Sequence, residues 1–333
     1  MTRALVTGGT GFVGSAVVRA LLREGVAVSC LVRPTSDLRN LDWLDITIIE
    51  GDLSDVSLIR RALRHCQQLY HVAAYYGTRP EDAPKMFATN VEGSRNALTA
   101  AAEAGLSRIV HTSTIGTIGR PRASRLSTED DLFDDWETAS PYVRSKLEAE
   151  RIALDLARDG APIVVVNPCA PIGARDIKPS STGKRIVDYL QGRVPSFSPG
   201  GINFVSVEDV AQGHLLAARH GRVGERYILG NADGNLRLED FLALMERVSG
   251  VRPPGHRRAW GLVPRTCGLG VLRRGARKLL RKEAATPPAP KGYRPAALTA
   301  DPSKAIRELG LPQTPLEVAF RRAIDWFRAN GYV

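Results

Sequence analysis

Arg3-Ala-Leu-Val-Thr-Gly-Gly-Thr-Gly-Phe-Val-Gly14 is the stretch on which the fold turns. The apolar run before Thr7 predicts a buried strand, and the residues from Phe12 predict an amphipathic helix. Between them Gly8, Gly11 and Gly14 keep a G-x-x-G-x-x-G spacing. The chain must turn sharply out of the strand, let a ligand approach its backbone and pack the helix close to the sheet. A Cβ would obstruct each step. The helix N-terminus then offers free N–H groups and a partial positive charge to phosphates. In a strand–turn–helix context the motif predicts a bound dinucleotide, with the backbone of Thr10, Phe12 and Val13 in the same cradle as the glycines.

Outward from this motif, short apolar runs alternate with helical patterns. Strands are expected at residues 4–7, 26–32, 46–50, 69–73, 108–112 and 162–166, and helices at 12–24, 56–65, 86–104 and 140–158. The strands read as continuous Val/Ile/Leu, as strands buried on both faces do. The expectation is an α/β fold, a Rossmann-type doubly wound parallel sheet spanning residues 1–166. From residue 167 Pro and Gly become frequent, and residues 167–333 read as a smaller, mainly substrate-binding part. Residues 202–220 are expected to return to the Rossmann side. Further helices are expected near 237–249, 302–309 and 315–330, and Thr286-Pro-Pro-Ala-Pro as an extended loop.

Composition narrows the class. Four cysteines lie far apart with no pair at metal-ligand spacing, which points away from disulfides and zinc, so no metal is expected. No apolar run reaches the roughly 18 residues of a membrane span. With the first strand starting at Arg3 there is no room for a signal peptide, and a cytoplasmic location is the expectation. The net charge of +11 is mostly local: residues 252–282 hold eight Arg, two Lys and no acid. The rest is near neutral, so no nucleic-acid partner is expected. In the basic stretch Leu269, Leu272, Ala276 and Leu279 share a helical face ringed by Arg273, Arg274, Arg277, Lys278 and Arg281. That pattern fits a solvated lid helix or a peripheral membrane contact. Gly268, Gly270 and Gly275 weaken any helix there and favour the lid.

The second strand ends in Leu31-Val-Arg-Pro, where an acid would otherwise grip a ribose hydroxyl. Arg33 can pair with the 2′-phosphate of NADP, so NADP is favoured with NAD as the alternative, or it is a solvated loop arginine. Asp52, with Leu53 beside it, can accept from the adenine amino group or cap the next helix.

Of eight tyrosines only Tyr142 has a lysine four residues on, which puts Lys146 on the same helical face. A phenol near pKa ~10 is a poor acid–base at neutral pH, and an ammonium beside it would bring it toward the working range. Lys146 can also hold the nicotinamide ribose. The pair lies on the helix after the fifth strand, which ends in His111-Thr-Ser-Thr114 at the ligand-binding edge. Thr114 can hold a substrate oxygen beside Tyr142, with Ser113 as the second choice.

These stretches, with His71-Val-Ala-Ala74, Asn90-Val-Glu-Gly-Ser94, Tyr142-Val-Arg-Ser-Lys146, Asn167-Pro168 and Val205-Ser-Val-Glu-Asp209, resemble the extended short-chain dehydrogenase/reductases in order along residues 2–229. Within that family the chain is similar to the hopanoid-associated sugar epimerase group and the dihydroflavonol 4-reductases. The resemblance implies that Thr114, Tyr142 and Lys146 are catalytic. It also implies that Thr112, Ala73 with Ala74, Asn90 and Pro168 line the cofactor, and that a dimer forms through the helices at 86–104 and 140–158. The family's sugar-nucleotide dehydratases carry an acidic pair after the catalytic Thr; Ile115-Gly116 stand here, which disfavours dehydration.

Other polar residues read as supporting parts. His71, His111 and His214 are isolated and expected to be structural. Tyr75 and Tyr76 line the substrate pocket or are exposed loop aromatics. Cys169 packs near the nicotinamide and has no base at a useful spacing. The expected activity is NAD(P)-dependent hydride transfer at a ketone or secondary alcohol carbon, foremost NADPH-dependent ketone reduction. The alternatives are an epimerase of a sugar or sugar nucleotide with tightly bound NAD, and a non-catalytic NADP sensor, which would not need Tyr142 and Lys146.

Overall fold

The computed structural model describes residues 2–77, 79–120, 125–137, 139–254 and 297–333. The amphipathic segment at 268–281 and the Pro-rich loop from Thr286 lie outside the described residues.

In the first half β1 (Arg3–Thr7), α1 (Phe12–Arg23), β2 (Ala27–Val32), β3 (Thr47–Glu50), α2 (Val56–Leu63) and β4 (Gln68–His71) follow one another closely. Then come α3 (Ala83–Phe87), a π-helical turn at Ala88–Glu92, α4 (Gly93–Glu103), β5 (Arg108–Thr112), α5 (Pro141–Arg158) and β6 (Ile163–Pro168). Past β6 lie β7 (Ala170–Ile172), α6 (Ser181–Leu190), β8 (Ile202–Ser206), α7 (Val207–His220), β9 (Arg226–Leu229) and β10 (Asn235–Leu236). The chain closes with α8 (Leu238–Ser249), α9 (Ser303–Leu309) and α10 (Leu316–Ala329).

Seven strands form one parallel sheet in the order β3-β2-β1-β4-β5-β6-β9. Strand order reverses between β1 and β4, the switch point at which a doubly wound sheet opens a crevice. Register aligns Thr7 with His71 and His71 with His111, so the carboxyl ends of β1, β4 and β5 are flush. Alternate residues of each strand feed opposite layers. Ala4, Val6, Val110 and Val164 pack under α1 and α7, while Leu5, Ile109 and Val165 pack under α2, α4 and α5. A third apolar cluster centred on Phe204, Phe241, Phe320 and Phe327 holds the C-terminal part together.

The structure departs from the sequence reading in three places. The helix expected at 86–104 begins earlier, at Ala83, and widens into the π-helical turn around Asn90. Its amide is bonded to neighbours on two sides, a local demand that an uninterrupted α-helix does not meet. Residues 202–206 join β7 and β10 in a separate three-stranded sheet. The returning elements are α7, packed on α1, and β9, a four-residue edge strand that the sequence reading did not include.

Candidate active site

A cleft of about 1210 Å³ opens over the carboxyl ends of the strands and runs to α6. That exceeds the usual volume of a small-ligand pocket and suits a dinucleotide together with a substrate. Every residue named above as catalytic, cofactor-binding or substrate-binding lines it, except Asn90.

At one end, Gly8 has φ +74°, and a Cβ there would come within 2.6 Å of the Ala73 nitrogen. A Cβ on Gly14 would stand 2.1 Å from the Gly8 carbonyl oxygen. The Gly11 N–H donates to that same oxygen at 3.0 Å and closes the turn. Gly11 caps α1 without a side-chain bond, so the first N–H groups of the helix face the cleft unclaimed. This cradle fits the pyrophosphate of a dinucleotide. Asn40, which the sequence reading missed, secures it: its buried amide donates to the carbonyls of Thr10 at 3.1 Å and Arg175 at 3.2 Å. Arg33 is exposed beside the same end of the cleft. Asp52 accepts from the Ser54 N–H at 3.0 Å, and the cap of α2 is Asp55 instead, accepting from Leu58 at 2.9 Å.

At the other end, Ser140 caps α5 by accepting from the Val143 N–H at 3.3 Å, and Pro141 starts the first turn. This start places Tyr142 and Lys146 on the first two turns, facing β5. Thr114, whose position is set by a short 3-10 turn that its side chain caps, lies beside the Tyr142 hydroxyl and opposes its upward shift. The ring of Tyr76 meets Tyr142 edge-on at 4.9 Å.

Lys146 takes a backbone partner. Its Nζ donates to the Thr112 carbonyl at 2.6 Å, and nothing from Lys146 lowers the phenol. Burial, reinforced by Tyr76, pushes Tyr142 up to about 12, so it is a neutral phenol here. Burial also brings Lys146 down to about 8, against the opposing pull of Glu150. The Thr112 hydroxyl points away, to His214 Nε2 at 2.9 Å, leaving its backbone at the cleft.

Asn90 is fully buried and does not touch the cleft. It accepts from the Tyr75 N–H at 2.7 Å, donates to the Tyr75 carbonyl at 3.0 Å and donates to Ser145 at 3.0 Å. Asn90 therefore ties the loop after β4 to the catalytic helix. Tyr75 is held again through its hydroxyl, 3.2 Å from Asp82. Ser113 lies 3.2 Å from Thr117 and turns inward.

A buried network that the sequence did not reveal braces α5. Glu150 accepts from Asn167 at 2.8 Å and pairs with Arg226 at 3.1 Å. Thr117 Oγ1 lies 2.7 Å from Glu150 and 2.8 Å from the Thr114 carbonyl, and can donate its proton to either. Of the three histidines, His71 bridges Thr7 and Ser94, and His214 bridges Thr112 and the Val210 carbonyl. His111 stacks on His71 with both ring nitrogens unpartnered. Burial pushes His71 to about 3 and His214 to about 4, which suits neutral structural groups. Cys169 is buried, and burial pushes its thiol up, away from nucleophilic use.

The α6 side of the cleft was not foreseen. Asp176, Ser181 and Arg185 line it. The available signal was Lys178-Pro-Ser-Ser, a helix start; Ser180 caps α6 by accepting from Gly183 at 3.1 Å.

Comparison with known proteins decides the family. The model of the NAD-dependent epimerase/dehydratase family matches residues 4–230. The chain belongs to this family. Like other members of the NAD-dependent epimerase/dehydratase family it is an NAD(P)-dependent enzyme of the extended short-chain dehydrogenase/reductase type. One relative, from Synechocystis sp. and named for dihydroflavonol 4-reductase, is 38% identical over 98% of this chain and 95% of its own. Sterol demethylase protein B of Methylococcus capsulatus is 34% identical over 99% of both chains. The crystal structure of gox2253 superposes with a TM-score of 0.84 at 35% identity, covering all of both chains. Among the described residues no helix is long and apolar enough to cross a membrane.

Proposed function

We propose that the protein reduces a ketone to a secondary alcohol with NADPH. The carrying observation is Tyr142, a phenol lining the cleft beside Thr114 that burial pushes up to about 12. Such a group keeps its proton at neutral pH and can give it only to a strong base, such as the alkoxide that forms when a ketone gains a hydride. The dinucleotide, when bound, supplies the hydride. The substrate oxygen lies against the hydroxyls of Tyr142 and Thr114. As the carbonyl carbon gains its C–H bond, the C=O π pair moves onto oxygen, and Tyr142 delivers its proton there. Thr114 holds the oxygen throughout. Lys146 holds the nicotinamide ribose and offsets the phenolate left behind, and Arg33 receives the 2′-phosphate. Residues 1–166 carry the cofactor and most of the part from 167 carries the substrate. The Synechocystis relative's name supports a reductase.

The test uses NADPH deuterated at the transferable position and a panel of ketones. Deuterium on the carbinol carbon of a released alcohol supports the reading. Oxidised substrate re-reduced on the enzyme, with no label taken from added NADPH, supports an epimerase instead.

A further inference from the structure

Among the described residues Arg185 is a cation without an anionic partner. It sits on the cleft side of α6, half-buried. Its Nε donates to the Ser196 carbonyl at 2.8 Å and its Nη1 to the Ser181 carbonyl at 2.6 Å. No described carboxylate lies within ion-pair distance of it. Its neighbours on and after α6 are treated differently: Lys184 and Arg193 both pair with Asp188, at 3.0 Å and 2.5 Å. Asp176 lines the same cleft, but its carboxylate is taken by the Ser180 N–H and hydroxyl. Among the described residues Tyr76 is the ionisable group that acts on Arg185. Tyr76 in turn meets Tyr142 edge-on, and Arg185, Tyr76 and Tyr142 line the same cleft.

Withdrawing a guanidinium from water without an opposite charge is costly, and burial lowers its affinity for a proton accordingly. The two carbonyls fix its orientation while Nη2 and one N–H of Nη1 keep their donors. Two parallel N–H groups are the fork that grips two oxygens of a carboxylate or phosphate.

We infer that Arg185 binds an anionic group of the substrate, carboxylate or phosphate, carried a few atoms from the carbonyl that Tyr142 protonates. The inference rests on the ketone-reductase reading for what the anion is attached to. Bound this way, the charge fixes which face of the ketone meets the cofactor, and neutral ketones of the same skeleton become poor substrates.

The probes are benzoylpropionate with its methyl ester and phenacylphosphonate with its dimethyl ester. Binding to the protein–NADP⁺ complex is followed by calorimetry, and turnover by NADPH oxidation. At least one acid is expected to bind roughly 10- to 100-fold better than its ester, and which acid wins separates carboxylate from phosphate recognition. In Arg185→Gln the acid/ester ratio should collapse to within about threefold, and Arg185→Lys should restore part of it. A merely structural role for Arg185 would weaken acid and ester alike and leave the ratio intact. If Arg185→Gln does not fold, the wild-type ratios alone decide. Ratios under threefold for both pairs, including no binding by either acid, overturn the proposal. Acids that bind preferentially but are never reduced would sustain the anion site and sink the reductase reading.

Discussion

The ammonium of Lys146 donates to the carbonyl of Thr112 at 2.6 Å, across from the phenol it shares a helix face with. That carbonyl ends β5, so the bond pins the second turn of α5 to the edge of the sheet. The phenol lies beside Thr114, two residues further on, just past the end of β5. Both halves of the pair therefore face the same stretch of chain at the end of β5, where the cleft opens. Preorganisation of this kind costs nothing at the moment of reaction.

Replacing the phenol removes the proton without disturbing the cradle. Tyr142→Phe is expected to lower turnover by about 10²–10⁴, the usual scale for one general acid, with NADPH affinity within a few-fold of wild type. Steady-state kinetics and a fluorescence titration of NADPH check both halves. Turnover within tenfold of wild type would move the proton donor to another group.

The buried lysine sets a pH limit. Burial lowers Lys146 to about 8, so its positive charge is present below that pH and lost above it. Tyr142, at about 12, stays protonated across the same range. The rate of reduction at low substrate should therefore be level near neutrality and fall as pH rises through about 8. A profile that climbs with pH from neutrality to 9 would mean that a deprotonated group, not the neutral phenol, governs the step.

The network behind α5 is a stability element. Arg226 pairs with Glu150 where the two side chains are 13% and 4% exposed. Arg226→Met leaves the Glu150 carboxylate buried beside Asn167 and Thr117 without its ion-pair partner, with Lys146 the remaining charge that acts on it. A loss of about 3–5 kcal/mol is expected in urea unfolding, the scale for breaking a buried pair from one side. A loss below 1 kcal/mol would mean that water reaches Glu150 once the arginine is gone.

Much of the site was legible because its signals are local. The glycine spacing from Gly8 to Gly14, the Tyr142–Lys146 interval and the Thr114 strand end each lie within a few residues, where backbone geometry translates spacing directly into position. What the sequence hid depends on partners far along the chain. Asn40 reaches Thr10 and Arg175, Asn90 reaches Ser145, and Glu150 reaches Arg226, and no pattern within any one segment marks such pairs. The partner of Lys146 was hidden for the same reason: a shared helix face sets it near Tyr142, but its bond goes to the Thr112 carbonyl on β5. The seventh strand, β9, was missed because it pairs with β6, about sixty residues earlier along the chain, and nothing local marks that pairing.

Cofactor exchange tests the central claim most directly. An epimerase must oxidise and re-reduce the same molecule, and gains from NAD that never leaves. A ketone reductase must trade NADP⁺ for NADPH in every cycle, and on the proposed reading Arg33 would pair with the 2′-phosphate that NAD lacks. Denaturing the purified protein and weighing the released nucleotide by mass spectrometry, followed by titration with NADPH and NADH, distinguishes the two. Little bound dinucleotide is expected, with NADPH preferred roughly 10- to 100-fold and Arg33→Ala losing most of that preference while keeping its NADH affinity. Protein that emerges with one equivalent of NAD, held through dilution, would contradict the reductase and leave the epimerase.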